Sequence, residues 1–509
     1  MTEAAASPAS ARTAAEGEAD AGEDAAGEPA QPTRFGRADL GWIALALAIA
    51  AGAWLPRAGR RPFWLDESLT VGATGELLQT WRHTGGTMAL YYLVVAPLAA
   101  VTNDRVALRA PSMLFAALAV VVVFAIGRRL GDRIGGARAA TFLASSWFLA
   151  RYAMEARSYA LALLLVSVAW LGLVAAATEV DDERRRRWWT VYVVAMALAP
   201  LAHGLAALQF PFQVLALALL PEPRRWVRRL LPLVAILAVE GVVLFGIGAG
   251  DVANWIPPLR YLDLKLFCRV MFGRAWIGWL VGPLVVLATG LAVRDRVRRR
   301  TTATWLGIIP VLWAWGVPLL ILAISLVRPY QAHRYILTSL PGVALLLAGL
   351  LARVRARALA GVAWAVLVGA LLFNQPAATT TGLEEWPAMA TQIRTDARPG
   401  ELLLAPDLLR APLDFAFEEQ GPAPVVRPLS PTDPVGRPRR LYHFASGTER
   451  SQLLGAPAVG VWLVDRGPSA RARIDALLAD PAIAARYREV GRWEYELNLF
   501  LVHLEPVPA

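Results

Sequence analysis

The sequence predicts an α-helical protein that crosses a membrane many times and ends in a small α/β domain. Hydrophobic residues make up 56% of the 509 residues and charged residues 18%, whereas soluble globular proteins carry about 25% charged residues. Uncharged runs long enough to span a bilayer recur as far as Asn374, and short alternating runs follow them. This composition excludes a soluble enzyme and a disordered chain.

Residues 1–33 differ in composition from the rest of the chain. They consist mainly of Ala, Glu, Gly, Pro, Ser and Thr, with seven acidic residues and one arginine. Such a segment cannot bury enough apolar surface to fold, so we expect a disordered tail. It lacks the basic start of a signal peptide, which indicates that it is not removed.

Eleven membrane crossings are predicted from the apolar runs, because a helix needs about 20 apolar residues to cross a hydrocarbon core about 30 Å thick. The uncharged stretch 188–221 is too long for one helix, and His203 and Gly204 near its middle indicate a hairpin of two. Residues 137–154 and 230–250 give one crossing each. The other predicted crossings are 40–56, 110–127, 158–178, 275–293, 301–327, 335–352 and 358–374.

The arginines orient these crossings. Five loops contain 20 arginines in 40 residues, whereas the intervening loops carry 14 basic residues in 91. Arginine-rich loops stay on the cytoplasmic side, which places the N-terminus with its tail in the cytoplasm and the C-terminus outside. The net charge of +11 therefore reflects membrane topology and not nucleic-acid binding. The arginine-rich loops are 128–138, 179–187, 222–229, 294–300 and 353–357.

The first outer loop, 57–106, contains one apolar stretch that we do not count as a crossing. Residues 88–101, MALYYLVVAPLAAV, are short for a crossing and include a proline. Counting them would also invert every later loop. We predict a helix that lies at the outer surface.

Residues 376–509 predict a small α/β domain outside the membrane. Apolar runs such as ELLLAP, VGVWLVD and YELNLFLVHLEP are separated by proline and glycine. Helix-like stretches lie near 384–397 and 469–487. This mixture over about 130 residues is typical of a small α/β domain.

The first outer loop opens with RRPFWLDESLTVG, which places Asp66 and Glu67 side by side. Adjacent residues do not share a helix face, so the two carboxylates can hold different roles, such as a general base and a residue that orients it or binds a metal. The alternative is a solvated acidic pair at the start of a helix, and the spacing alone favours that alternative.

The stretch RYAMEARSYALALLL, at the outer end of the third crossing, contains Arg151, Arg157 and Tyr159. Guanidinium forks suit phosphate oxygens, and a tyrosine hydroxyl supplies a further donor. The alternative is a pair of arginines that reach the membrane interface from a helix end, with Glu155 as their partner. The residues themselves leave both interpretations open.

Further polar residues lie on the same predicted side of the membrane. The stretch RPYQAHRYILTSLPG holds His333, Arg334 and Tyr335, and the turn of the hairpin holds His203. A single histidine at a membrane interface is more often an amphipathic residue than a base or a ligand. Carboxylates, arginines, tyrosines and histidines at one depth nevertheless predict a site that binds an anionic lipid headgroup and abstracts a proton.

A set of ordered short motifs resembles the GT-C class of multi-spanning membrane glycosyltransferases. The motifs are FWLDES, LYYL, LRAPSMLFAALAVVVVFAIGRRLG, EARSYAL and HRYILTSLP. The chain looks most like the bacterial protein O-mannosyltransferase and aminoarabinose transferase group. The resemblance implies a GT-C-like transmembrane domain over residues 34–375 and covers no motif of the C-terminal domain.

The resemblance implies an enzyme that uses a sugar carried on a polyprenyl phosphate. An acidic residue of the first outer loop is the catalytic base in that class, and Asp66 matches its position. The base deprotonates an acceptor hydroxyl, which displaces the polyprenyl phosphate from the anomeric carbon with inversion. Two matching pairs are implied to stabilise the departing phosphate, Arg157 with Tyr159 and Arg334 with Tyr335.

The same comparison gives Glu67 one of two roles, binding a divalent cation such as Mg²⁺ or Mn²⁺ or orienting the acceptor. Arg151, His203 and His333 are accessory candidates. The implied partners are a polyprenyl-phosphate donor of mannose or a pentose, an acceptor that is a glycan, a lipid or a protein, and the plasma membrane.

The alternative function is a transporter or flippase of a lipid-linked sugar, in which the same arginines bind the phosphate without chemistry. Transporters favour internal repeats and helices broken at mid-membrane. The sequence has no convincing repeat, and its polar residues gather outside the membrane, so we favour the enzyme. An inactive scaffold that displays the C-terminal domain fits the topology, but the intact acidic pair disfavours it.

Overall fold

The computed structural model describes most of the chain from residue 35 to residue 508. The gaps are residues 85, 222, 248–270, 273, 330–331, 381–382, 431 and 438–448. The tail predicted at 1–33 lies outside the described residues. Helices form the part up to residue 380, and a domain built around a β-sheet follows.

Seventeen helices are described before the sheet domain. The first twelve are α1 (Arg37–Trp54), α2 (Leu65–Ala73), α3 (Leu77–Thr84), α4 (Ala89–Ala99), α5 (Arg105–Leu130), α6 (Arg133–Ser145), α7 (Trp147–Ala153), α8 (Tyr159–Thr178), α9 (Asp182–Ala202), α10 (Phe210–Ala218), α11 (Pro223–Arg229) and α12 (Leu231–Ile247). The others are α13 (Ala275–Arg298), α14 (Thr302–Ser325), α15 (Leu340–Ala352), α16 (Arg357–Phe373) and α17 (Ala377–Thr380). Two 3₁₀ segments, Gly204–Gln209 and His333–Ser339, precede α10 and α15.

Six helical segments of the described residues are long and apolar enough to cross a membrane, and each overlaps a predicted crossing. They are Arg37–Trp54, Arg105–Leu130, Tyr159–Thr178, Ala275–Arg298, Thr302–Ser325 and His333–Ala352. Shorter apolar helices are Ala89–Ala99, Gly204–Ala218, Leu231–Val243 and Arg357–Phe373. The protein is therefore helical and multi-pass, as predicted. The total of eleven crossings and the orientation of the termini stay predictions.

Two apolar runs are interrupted where the backbone leaves the helical conformation. The run 137–154 breaks at Ser146, whose φ of −68° and ψ of 126° separate α6 from α7. The hairpin expected at 188–221 turns at His203, which has extended backbone after α9. The stretch 88–101 contains the predicted helix, α4, and the place of this helix at the outer surface stays a prediction.

Close helix packing depends on small residues. A Cβ atom at Gly136 would lie 2.6 Å from the carbonyl oxygen of Phe124, so glycine lets α6 approach α5. A Cβ atom at Gly342 would lie 2.5 Å from the backbone nitrogen of Ala314, which brings α15 against α14. Small residues give this close contact in membrane helix bundles, where apolar burial alone does not drive association.

The C-terminal domain is a five-stranded sheet between two layers of helices, which confirms the predicted α/β domain. Strand order is β2-β1-β3-β5-β4, with β1 parallel to β2 and β3 and the other pairs antiparallel. Its elements are α18 (Trp386–Asp396), β1 (Leu402–Leu404), α19 (Asp407–Glu419), β2 (Arg427–Ser430), α20 (Glu449–Gly455), β3 (Val461–Arg466), α21 (Ala470–Leu478), α22 (Pro481–Ala484), β4 (Tyr487–Tyr495) and β5 (Leu499–Pro506).

Alternation along the strands divides the apolar core of this domain in two. Leu403 and Trp462 pack with α18 and α19 on one face, whereas Leu402 and Leu463 pack with α20, α21 and α22 on the other. Successive strand residues point to opposite faces, which explains the division. Leu65 of α2 packs against the first of these cores. The sheet domain thus contacts the helix that carries the predicted base.

Candidate active site

Asp66 and Glu67 lie in the first turn of α2, and their side chains have different surroundings. The Asp66 side chain is 23% exposed. Glu67, one residue later, has no exposed surface. Adjacent residues of a helix face different directions, and here one direction leads to an accessible cluster and the other into the protein interior.

The Asp66 carboxylate lies between two guanidinium groups. Its Oδ2 atom is 3.4 Å from Nη2 of Arg157 and 3.5 Å from Nη2 of Arg334. A charge-assisted hydrogen bond between such groups is about 2.7–2.9 Å long, so both pairs are loose. Two cations facing one carboxylate leave an excess of positive charge, which suits an additional anion.

Arg157 is held by the chain segments around Asp66. Its Nη1 atom donates to Oγ1 of Thr70 at 3.0 Å and to the carbonyl oxygen of Asp66 at 3.3 Å. The guanidinium also lies over the Tyr159 ring, 5.6 Å from its centre. Burial opposes the charged form of Arg157, but Tyr159 and Asp66 outweigh this effect and raise its pKa. Arg157 is therefore a fixed cation.

Arg334 reaches the same carboxylate from the 3₁₀ segment before α15. Its guanidinium lies 5.7 Å from the ring centre of Trp64 and 5.9 Å from that of Tyr335. Aromatic faces favour a cation at this distance. The two arginine and tyrosine motifs, far apart in the sequence, thus meet at Asp66. His333 precedes Arg334 at the start of the same segment.

His203 lies against the aromatic rings of both motifs. Its ring centre is 5.1 Å from that of Tyr159 and 6.0 Å from that of Tyr335. Burial, together with the charges of Arg157 and Arg334, lowers the pKa of His203 to about 3. Nδ1 accepts a hydrogen bond from the Leu205 amide, so the neutral ring carries its proton on Nε2. His203 is a neutral donor at physiological pH.

Sequence reasoning did not assign Tyr92, although it lies in the quoted LYYL motif. Burial raises the pKa of its phenol to about 12, with Arg157 acting in the opposite direction. The phenol thus keeps its proton near Asp66 and Arg157. The neighbouring Tyr91 hydroxyl is 2.7 Å from Oγ of Ser112, which donates to the carbonyl oxygen of Arg157. The helix α4 therefore supports the site directly.

Glu67 is part of a buried ion-pair cluster. Nε and Nη2 of Arg109 donate to its two carboxylate oxygens at 2.8 and 2.7 Å. The Ala156 amide donates to Oε1 at 2.8 Å, and Arg109 also donates to the Ala58 carbonyl oxygen at 2.6 Å. These contacts tie α2 to α5 and to the segment that ends at Arg157. Glu67 thus joins elements of the site without facing it.

Arg151 belongs to this buried region and not to the surroundings of Asp66. Its Nε atom is 3.6 Å from Oε1 of Glu155, which Arg61 also contacts at 3.0 Å. Arg151 is thus a partner of Glu155, as in the alternative interpretation of this stretch, whereas Arg157 turns toward Asp66. Arg151 was expected to have an accessory role, but its side chain makes no contact with Asp66 in the described residues.

The described residues do not fit the divalent cation expected at Glu67. Both Glu67 oxygens accept hydrogen bonds from Arg109, and Asp66 faces two arginines that would repel a cation. Hard cations require several free oxygen ligands. Within the described ranges, no group of three or more His, Cys, Asp or Glu side chains could hold a metal ion.

Known structures share this architecture. The crystal structure of ArnT from Cupriavidus metallidurans in the apo state is similar to this chain with a TM-score of 0.56 and 15% identity, over 92% of this chain and 98% of ArnT. The chain has the GT-C fold. The undecaprenyl phosphate complex of the same ArnT gives a TM-score of 0.51 and 14% identity, over 91% and 98% of the two chains.

A second GT-C structure covers the chain to the same extent. It is the archaeal oligosaccharyltransferase AglB from Archaeoglobus fulgidus in complex with an inhibitory peptide and a dolichol-phosphate, with a TM-score of 0.55 and 9% identity. The match spans 92% of this chain and 74% of AglB. The predicted resemblance to GT-C enzymes is thereby confirmed at the level of the fold.

One sequence family matches part of the chain. Residues 87–245 match the family model of dolichyl-phosphate-mannose-protein mannosyltransferase. This region of the GT-C fold contains Tyr92, Arg157 and His203, while Asp66 and Arg334 lie on either side of it. No curated protein matches the chain in sequence.

Proposed function

We propose that this GT-C protein transfers a sugar from a polyprenyl phosphate to an acceptor hydroxyl, with Asp66 as the general base. The observation that carries the proposal is the partly exposed Asp66 carboxylate between Arg157 and Arg334. The similar folds support the type of donor, because one ArnT structure holds undecaprenyl phosphate and the AglB structure holds a dolichol-phosphate.

The charges around Asp66 suit a sugar phosphodiester. Such a donor carries one negative charge, and Asp66 carries another. Arg157 and Arg334 supply two positive charges, while His203 is neutral. The bound donor therefore neutralises the excess positive charge at the site. The planar guanidinium forks give directed hydrogen bonds to phosphate oxygens as well as charge.

The transfer step keeps this balance. The acceptor oxygen forms a bond to the anomeric carbon while the bond from that carbon to the phosphate oxygen breaks, and attack from the opposite face inverts the configuration. The hydroxyl proton passes to Asp66. The carboxylate loses its negative charge as the departing phosphate gains one, so the two arginines act on the phosphate where charge develops.

The loose contacts of Asp66 are consistent with this exchange of partners. The Nη2 groups of Arg157 and Arg334 lie 3.4 and 3.5 Å from Asp66, so they can bind a phosphate oxygen without giving up a short hydrogen bond to that carboxylate. Asp66 then faces the acceptor hydroxyl with fewer competing donors. The hydroxyl groups of Tyr159 and Tyr335, whose rings lie beside Arg157 and Arg334, and the protonated Tyr92 phenol provide further contacts for the phosphate or the sugar.

The buried Glu67 has a positioning role in this proposal. Its ion pair with Arg109 and its bond to the Ala156 amide fix α2 relative to the chain just before Arg157. The Glu67 carboxylate thus positions both the proposed base, Asp66, and the arginine proposed to bind the phosphate, Arg157. No step of the proposed transfer uses a metal ion.

The test is sugar transfer by membranes that contain the wild type, Asp66→Asn or Glu76→Gln. Each receives a panel of radiolabelled mannosyl and pentosyl polyprenyl phosphates with envelope glycan, lipid and protein as acceptors. Glu76 is a matched control because it is an acidic residue of the same loop without a contact to Asp66 in the described residues. We expect product with the wild type and Glu76→Gln and a loss of at least about 100-fold with Asp66→Asn.

Equal transfer by Asp66→Asn, at equal amounts in the membrane, would overturn the base assignment. If neither protein forms product while both bind the donors and move them across a bilayer, the chain is a transporter of lipid-linked sugars. The anomeric configuration of the product, measured by NMR, tests the inversion.

A further inference from the structure

The C-terminal domain holds the loop of Asp66 at both of its ends. Before Asp66, the Phe63 ring meets the Phe415 ring edge to face, with centres 5.1 Å apart. At the far end of the loop, Nδ2 of Asn103 donates to Glu418 at 3.1 Å, and Arg105 pairs with Glu419 at 2.7 Å. All three partners belong to α19, so one helix of the sheet domain spans the base of the loop.

The helix α2, on which Asp66 lies, lacks a cap from its own sequence. Its N-cap residue is Trp64, which makes no side-chain cap hydrogen bond among the described residues. The first amides of a helix have no partner within the helix and need an outside acceptor. Serine, threonine, aspartate and asparagine usually provide one at the N-cap position, and tryptophan cannot.

A residue of the C-terminal domain supplies the missing acceptor. Oε2 of Glu384 accepts a hydrogen bond from the Leu65 amide at 2.9 Å, across 319 residues of sequence. Leu65 is the first residue of α2, and Asp66 is the second. A carboxylate at this end also opposes the positive end of the helix dipole. Glu384 thus caps the catalytic helix from another domain.

The Glu384 carboxylate is itself fixed by its own domain. The indole nitrogen of Trp386 donates to Oε2 at 2.7 Å, and Arg466 of β3 forms an ion pair with Oε1. The Glu384 side chain is only 1% exposed. Both oxygens therefore have partners in the sheet domain, and the position of the cap follows the position of that domain.

We propose that Glu384 is a positioning residue that sets the place of the Asp66 carboxylate relative to Arg157 and Arg334. This inference depends on the proposed function of Asp66, and it makes the sheet domain a necessary part of the active site. Loss of the cap leaves the donor-binding arginines in place and lets the first turn of α2 move. Small displacements of a catalytic group cost rate more than binding.

The test compares three variants of the full-length protein reconstituted in lipid nanodiscs. Glu384→Ala removes the acceptor, whereas Glu384→Gln keeps an oxygen for the Leu65 amide. Glu385→Ala is the control, because Glu385 accepts from the Glu496 amide within the domain and has no contact with α2 among the described residues. We expect kcat to fall about 10- to 100-fold for Glu384→Ala at an unchanged donor KM. Glu384→Gln should recover part of the loss, and Glu385→Ala should match the wild type.

A second variant tests the hydrogen bond itself. Leu65→Pro removes the amide that Glu384 accepts from, and proline is well tolerated at the first position of a helix. Trp64, with φ of −94° and ψ of 171°, already has the extended backbone that precedes proline. In the Leu65→Pro background, Glu384→Ala should therefore have a much smaller effect on kcat than in the wild type.

Hydrogen exchange of residues 64–73 provides a readout that does not depend on catalysis. We expect faster exchange in Glu384→Ala than in Glu385→Ala, and this contrast decides the capping even if the wild type transfers no sugar. A wild-type kcat for Glu384→Ala would overturn the proposal. So would equal losses in Glu384→Ala and Glu385→Ala, or an effect of Glu384→Ala that is undiminished beside Leu65→Pro.

Discussion

Two ion-pair clusters begin at neighbouring residues of α2 and differ in almost every physical property. The open cluster consists of Asp66, Arg157 and Arg334, with contacts of 3.4 and 3.5 Å and partial exposure of the carboxylate. The closed cluster pairs Glu67 with Arg109 at 2.7 Å, and neither side chain has exposed surface. Loose, accessible charges can change partners during a reaction, whereas tight, buried charges hold elements together.

The difference shows that burial and contact distance separate the roles of two acids that the sequence presents alike. Both are carboxylates of one helical turn, and either could be a base. A buried ion pair with every oxygen occupied cannot meet a substrate. The open cluster therefore serves the chemistry, and the closed cluster holds the elements of the site together.

The largest expected effect is on stability, in the closed cluster. Glu67→Gln leaves the Arg109 cation buried without a counter-charge, which costs about 3–5 kcal/mol. Folded proteins are stable by only about 5–15 kcal/mol, so much of the variant should be lost from detergent extracts. Thermal unfolding measured by size-exclusion chromatography checks this, with Asp66→Asn as the comparison. The division fails if Asp66→Asn loses as much stability as Glu67→Gln.

A double variant sharpens the same comparison. Replacing both partners by apolar residues, Glu67→Leu with Arg109→Met, removes the uncompensated charge and should recover part of the lost stability. The recovery is incomplete because the Ala156 amide and the Ala58 carbonyl oxygen lose their hydrogen-bond partners. The double variant should not recover full transfer if Glu67 positions the chain next to Arg157. Recovery of both properties would show that the pair has no positioning role.

The next effect is on donor binding, in the open cluster. Arg157→Lys and Arg334→Lys keep the charge but lose the planar fork, so binding of undecaprenyl phosphate should weaken about tenfold in each. Arg60→Lys, in an exposed position of the same loop, is the control. Binding is measured by isothermal titration in nanodiscs. Unchanged affinity in both site variants would remove the arginines from the phosphate site.

A further effect is a pH dependence of stability from His203. Its pKa falls from 6.5 to about 3 on folding, so below pH 6.5 the unfolded chain binds a proton that the folded protein excludes. The neutral His203 side chain therefore costs no stability above pH 6.5, and the free energy of unfolding decreases as the pH falls from 6.5 toward 3. The unfolding temperature should therefore drop less between pH 7 and pH 5 in His203→Gln than in the wild type. An equal drop in both proteins would contradict the neutral state of His203.

The apolar part of the fold could be predicted from the sequence because it depends on run length. Segments such as 110–127 and 158–178 overlap helices Arg105–Leu130 and Tyr159–Thr178, since an uncharged run of that length has few other stable arrangements. The break at Ser146 could not be predicted, because no charged residue, proline or glycine lies between Arg138 and Arg151 to mark it.

The sequence predicted which residues belong to the candidate site, but not that Asp66 and Glu67 belong to separate clusters. Asp66, Arg157 and Arg334 were expected together from their motifs and their predicted side of the membrane. The burial of Glu67 depends on Arg109, 42 residues later, and the cap on α2 depends on Glu384, 319 residues from Leu65. Such long-range contacts leave no local pattern. Tyr92 had a local signal in LYYL, but the motif did not indicate which tyrosine faces Arg157.

The most direct test of the division is to measure donor binding and single-turnover transfer on the same preparation of Asp66→Asn in nanodiscs. If Asp66 is the base and the arginines bind the phosphate, this variant binds undecaprenyl phosphate at least as tightly as the wild type, because one competing negative charge is gone. Its transfer rate should be at least about 100-fold lower. Transfer at the wild-type rate, or loss of binding together with transfer, would contradict the account.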